Sequence, residues 1–195
     1  MESKPETHNE RSPSRVLRCA VALALLLITL LGADLRLYRL EQQSVWFDEY
    51  NSIGFVNTPT LAECLKAQSM LNTSTVPLYF IIQYYWARYV DGSAYGVRIL
   101  SVIFGVLSIP LLYFIGRRVS GREAGLIAAL CLALSPFQTF HSQGIRFYSL
   151  HVLLALISVY SFLRIMNRGN ATWWIVNLLA NAAMMWTHVF ALFFI

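Results

Sequence analysis

Two polar stretches in this chain hold residue types that can do chemistry. The first is Ser44-Val45-Trp46-Phe47-Asp48-Glu49-Tyr50, an acidic pair set among aromatic rings. Aromatic and lipid surroundings raise the cost of ionising a carboxylate, which can poise Asp48 or Glu49 as a base near neutral pH. The same residues also suit a helix start, with Asp48 capping free N–H groups of a helix running through Glu49 to Val56. Spacing alone leaves both readings open. The second stretch is His141-Ser142-Gln143-Gly144-Ile145-Arg146-Phe147-Tyr148, just after Ser135-Pro136. A guanidinium grips phosphate through a planar fork, so Arg146 can hold a lipid phosphate. It can equally snorkel to headgroups or pair with Asp48 or Glu49. Arg98, at the start of an apolar block, has the same choice of roles. His141 and His188 share a predicted boundary with Asp48 and Glu49, and together they have the donor types of a divalent-metal site, without HxH or HExxH spacing.

The elements that must position these groups are membrane helices. The sequence is 57% hydrophobic and 13% charged, with its apolar residues in long blocks. A helix needs about 20 apolar residues to cross a hydrocarbon core. Blocks at about 16–37, 97–116, 123–141 and 147–165 qualify, and a fifth starts at Thr172. The expected class is therefore all-α and polytopic. The net charge of +5 does not point to nucleic acid, because the basic residues cluster at block ends instead of forming a stripe. Cys19 and Cys131 fall inside predicted spans and leave Cys64 alone outside, so no disulfide framework is expected.

Parity decides the fate of the short apolar segment 77–90. If it lies in the interface, Arg11, Arg15 and Arg18, the turn with Arg117, Arg118 and Arg122, and the turn with Arg164 and Arg168 all face the cytoplasm. If it crosses, the last two clusters fall outside, against the positive-inside rule. Its Tyr79, Tyr84, Tyr85, Trp86 and Tyr89 also suit the headgroup region. The reading is thus a disordered cytoplasmic tail (1–15), an external loop at 40–95 holding the interfacial helix, and a short second external loop around His141 to Tyr148. Arg36 and Arg39 run against the rule. Asn72-Thr73-Ser74 and Asn170-Ala171-Thr172 match the glycosylation acceptor pattern, and the first of them is outside in this topology. Because the sequence stops in an apolar run at Ile195, residues 16–195 are expected to be the N-terminal part of a longer domain.

Taken together, Leu35-Arg36-Leu37-Tyr38-Arg39-Leu40, the acidic stretch, Pro77-Leu78-Tyr79, Arg98-Ile99-Leu100-Ser101, and Leu134-Ser135-Pro136 through Gln143-Gly144-Ile145-Arg146-Phe147-Tyr148 resemble the start of a bacterial GT-C glycosyltransferase. The resemblance is to the protein mannosyltransferase-like (family 39) and RgtA/B/C/D-like enzymes, and it covers the chain from Val16 onward. It implies inverting transfer of a sugar from a polyprenyl-phosphate donor to an extracytoplasmic acceptor that is a lipid, glycan or protein, in a bacterial plasma membrane. It also implies Asp48 as catalytic base with Glu49 beside it, and matches Arg146 and Tyr148 to the arginine and tyrosine of the family's QExRxY-like segment; together with Arg98, read as above, these are the expected donor-phosphate ligands. Two positions depart from the family pattern: Thr75-Val76-Pro77-Leu78 stands where the family often has His-Pro-Pro-Leu, and Gly144 where it has Glu. These departures weaken a bound metal ion, which the resemblance leaves open as a cofactor. A transporter, which would show two related halves with interrupted helices, and a non-catalytic membrane subunit are the competing readings.

Overall fold

A computed structural model of the chain describes residues 15–71, 77–167 and 169–193. The expected tail up to Ser14, with Arg11, the Asn72 acceptor pattern, Thr75-Val76, Arg168 and the terminal Ile195 lie outside the described residues. The chain is all-α: α1 (Arg15–Leu37), α2 (Phe47–Val56), α3 (Leu61–Leu71), α4 (Leu78–Tyr89), α5 (Ala94–Leu134), α6 (Pro136–Gln143), α7 (Tyr148–Met166) and α8 (Ala171–Met185), with 3-10 turns at Leu40–Gln42 and Val189–Phe193. Among the described residues three helical stretches are long and apolar enough to cross a membrane: Arg15–Gln42, Ala94–Leu134 and Tyr148–Met166.

The longest of these is not straight. Ser120 (φ −138°) and Gly121 (φ 92°) leave helical geometry, and the positive φ is one that glycine adopts without a Cβ clash. The segment folds into a hairpin whose arms run to Val119 and from Arg122. Small residues let the arms close: a Cβ on Gly116 would fall 2.9 Å from the Gly125 Cα. Ile109 and Tyr113 of the first arm then pack on Ala129 and Ala133 of the second, with Val21, Leu25 and Ile28 of α1 against them. Gly32 brings α1 in closely, since a Cβ there would sit 2.3 Å from the Ile109 side chain.

The block expected as one span at 123–141 is two helices. Pro136 disfavours helical geometry in the residue before it, so the second arm ends at Leu134, and Ser135 accepts the Gln138 N–H at 3.3 Å to start α6. The carbonyls left free at that end are met by Arg36. Its guanidinium donates to the carbonyls of Ala133 (3.2 Å), Leu132 (3.1 Å) and Gly32 (2.8 Å) and to Ser142 Oγ (3.3 Å). That placement explains the exception to the charge rule, because a cation suits a helix C-terminus. Arg39 sits in the following turn with φ 53°, its guanidinium over the Tyr38 ring at 5.3 Å.

Helices α2 to α4 form a small cluster at the end of the bundle where α1 finishes, built on Phe55, Cys64, Phe80 and Tyr84. At 12 residues α4 is about 18 Å long, too short to cross. The arginines gather at the other end: Arg18, Arg117 and Arg122 border one cavity, and Arg117, Arg118 and Arg164 another. Helices α7 and α8 are joined by amides and hydroxyls, with Asn177 Nδ2 donating to the Ser158 carbonyl (2.9 Å) and Ser161 Oγ (3.0 Å), and Ser158 Oγ to Asn181 Oδ1 (2.6 Å). Such groups hold helices together where lipid offers no hydrophobic drive.

Candidate active site

The acidic pair lies in the first turn of α2, and its two members face opposite ways. Glu49 is turned inward and is 6% exposed. Its Oε2 meets Arg98 Nη2 at 2.9 Å and accepts the Trp46 N–H at 3.3 Å, while Oε1 accepts the Ile145 N–H at 2.8 Å. The helix start is therefore capped by Glu49, at the third helical position, and not by Asp48 as the capping reading had it. The Asp48 carboxylate is 63% exposed and pairs with Arg146 Nη2, a guanidinium only 15% exposed. One carboxylate is thus bound on all sides, and the other is open to a ligand.

Arg98 has a different setting from the one expected. Only 2% exposed, it donates from Nη1 to the carbonyls of Leu40 (3.1 Å) and Gln43 (3.0 Å), and from Nη2 to Ser44 O (3.2 Å) and Glu49. It faces the loop before α2 and not the pocket. Its physical work is to neutralise Glu49 and fold three carbonyls of that loop around one cation. A buried pair of this kind is costly to split, because the survivor is an unpaired charge away from water.

Above the pair is a cavity of about 240 Å³ bordered by Asp48, Glu49, Gly144, Arg146, Tyr148 and His141, with Gln43, Trp46 and Phe140 completing the wall. Tyr148 packs on the His141 ring at 4.6 Å, and His141 on Phe137 at 4.3 Å. A Cβ at Gly144 would come 3.5 Å from Glu49 Oε1, so the position that departs from the resembling family is part of the wall. Arg146 is held from behind: Tyr79 OH lies 3.2 Å from Ser101 Oγ, which donates to the Arg146 carbonyl at 3.4 Å. Burial pushes the Tyr79 hydroxyl far above the usual phenol range, so it stays a neutral hydrogen-bonding group. Gln143 closes the floor by donating to the carbonyls of Arg36 (3.1 Å) and Tyr38 (3.0 Å) at the end of α1.

The four groups considered for a metal do not converge. His141 borders the cavity, but His188 stacks on Phe147 at 4.7 Å. Among the described residues no three His, Cys, Asp or Glu side chains are close enough to share an ion. Sequence reasoning missed Gln43, Phe140 and the Tyr79–Ser101 brace. Tyr79 carried a signal, as an aromatic directly after Pro77-Leu78, and was taken for a headgroup anchor.

A polytopic helical chain that brings a carboxylate against a guanidinium at one end of its spans belongs to the class of integral membrane proteins with groups for acid–base and anion chemistry. The family model described as dolichyl-phosphate-mannose-protein mannosyltransferase matches residues 72–195, more than half of the sequence, and the chain belongs to that family of membrane glycosyltransferases. No curated protein and no solved structure gives a significant match. The matched stretch holds Arg98, Arg146 and Tyr148. Asp48 and Glu49 precede it and are joined to it by the two ion pairs.

Proposed function

We infer that the protein transfers a sugar, with inversion, from a polyprenyl-phosphate donor to a hydroxyl acceptor outside the cytoplasm. The observation that carries this reading is the Asp48–Arg146 pair in an open cavity: a carboxylate whose partner is a phosphate-gripping cation. Arg146 is the donor-phosphate ligand, with Tyr148 beside it, and Asp48 is the base. When the donor phosphate takes Arg146, Asp48 loses its counterion and is free to accept a proton. The acceptor hydroxyl gives its proton to Asp48 as its oxygen attacks the anomeric carbon. The bond from that carbon to the phosphate oxygen breaks, and the electron pair leaves with the lipid phosphate, whose charge Arg146 stabilises. Glu49 and Arg98 are positioning residues in this scheme, since Glu49 ties α2 to Ile145, the neighbour of Arg146.

The loop 40–95 and the cavity lie on the extracytoplasmic face of a bacterial plasma membrane, with the N-terminus cytoplasmic. The gathering of Arg18, Arg117, Arg118, Arg122 and Arg164 at the opposite end supports that orientation. The test is transfer of radiolabelled sugar from a polyprenyl-phosphate donor by full-length protein in vesicles, with the anomeric configuration of the product determined. Label moving with inversion is expected. Transfer from a nucleotide sugar and not from the lipid donor contradicts the reading. Arg146→Ala should weaken donor use more than Arg146→Lys, because lysine keeps the charge but loses the fork.

A further inference from the structure

We propose that the arginine-bordered cavity between the first arm of α5 and α7 binds the phosphate of an anionic lipid headgroup. It lies at the opposite end of these helices from Arg146, so it is separate from the donor site. The cavity is about 390 Å³ and is lined by Phe114, Arg117 and Arg118 of α5 and by Tyr160 and Arg164 of α7. Three cations thus border one space. Among the described residues none of the three has a carboxylate at ion-pair distance.

Two of the cations are held in a way that leaves their hydrogen-bonding edges available. Arg118 lies over the Tyr160 ring at 5.9 Å and donates one N–H to the Leu163 carbonyl at 3.5 Å, while Arg164 lies over Trp173 at 4.5 Å. An aromatic face engages the flat side of a guanidinium and keeps the in-plane N–H groups for an anion. Phosphate is the anion that such forks match. The wall is mixed, however, and this favours a lipid over a free ion. Phe114 is 42% exposed within it, and both helices carry apolar stretches long enough to cross a membrane. A ligand with a phosphate head and acyl chains meets the cations and the apolar wall at once, and basic recesses between spans recognise lipid heads in this way. Arginines that merely fix topology face water and select no headgroup.

The experiment is native mass spectrometry of detergent-purified full-length protein given equal amounts of phosphatidylglycerol and phosphatidylcholine, with a parallel sample containing excess inorganic phosphate. Preferential retention of phosphatidylglycerol is expected, and inorganic phosphate should not displace it. Each arginine removed should weaken retention about fivefold, and R117Q/R118Q/R164Q together roughly a hundredfold. Should the triple variant not remain monodisperse, Arg118→Gln alone reads the same effect. Equal retention of the two lipids, or unchanged retention in the variants, overturns the proposal. Displacement of the lipid by inorganic phosphate overturns the lipid as the occupant and leaves a free-phosphate site.

Discussion

At the scale of residues, two neighbouring carboxylates differ in what each one faces. Glu49 has a cation and two backbone N–H groups on its oxygens, whereas Asp48 meets only Arg146 at the edge of an open cavity. Removing the charge of Glu49 strands Arg98, so Glu49→Gln should destabilise the protein by about 3–5 kcal/mol, read as a lower midpoint of thermal unfolding in detergent. Adding Arg98→Met to that variant should recover part of the loss, because no unpaired buried charge is then left behind. A Glu49→Gln variant that melts like the parent contradicts the structural assignment. The sequence singled out Asp48, Glu49 and Arg146, but not which acid is buried. Adjacent helical residues point about 100° apart, and the inward direction is set by Arg98 and Ile145, which are remote in sequence. For the same reason Arg98 and Arg146 looked alike as arginines beginning spans.

At the scale of elements, the joints depend on single residues. Arg36 satisfies the last carbonyls of the second arm of α5 and binds α1 to it. Arg36→Met should cost roughly 1.5–3 kcal/mol, the range for hydrogen bonds to a charged group, again as a lowered unfolding midpoint, with a loss of at most about 1 kcal/mol expected on Arg39→Met. The α2–α4 cluster has its own reporter. Cys64 is fully buried there and burial pushes its thiol up to about 11, so neither access nor thiolate is available at neutral pH. Cys64 should stay unlabelled by a thiol reagent in the native protein and react once heat or SDS unfolds it; rapid native labelling contradicts the packing. The apolar blocks made α1, the α5 hairpin, α4 and α7 readable, since length and hydropathy are local properties. The middle helix of the loop, α3, was not readable, because Glu63, Lys66, Gln68 and Ser69 interrupt its apolar pattern and Cys64 is buried against Phe55 of α2 and Phe80 and Tyr84 of α4. The break at Ser135-Pro136 did carry a local signal, the proline itself, which the hydrophobic run on either side outweighed.

At the scale of the whole molecule, charge is sorted along the bundle. Arginines that border the cavities between α1, α5 and α7 stand at one end, and the acid–guanidinium pocket with the α2–α4 cluster stands at the other. A segment too short to cross, α4, is what makes this sorting self-consistent, since a crossing there would reverse every later helix. A cysteine at Ser44 should react with a membrane-impermeant thiol reagent in intact cells, and one at Ser120 should react only after permeabilisation. Labelling of the Ser120→Cys variant from outside contradicts the topology.

The central claim is that Asp48 takes the proton from the acceptor, and the measurement that addresses it most directly is the transfer rate of the Asp48→Asn full-length enzyme. Asparagine keeps the size of the side chain, and the cap of α2 belongs to Glu49, so the variant should insert and fold like the parent. General-base catalysis contributes roughly 10²- to 10⁴-fold, and the rate per folded enzyme should fall by at least about a hundredfold. A folded Asp48→Asn enzyme that transfers sugar at nearly the parental rate contradicts the account.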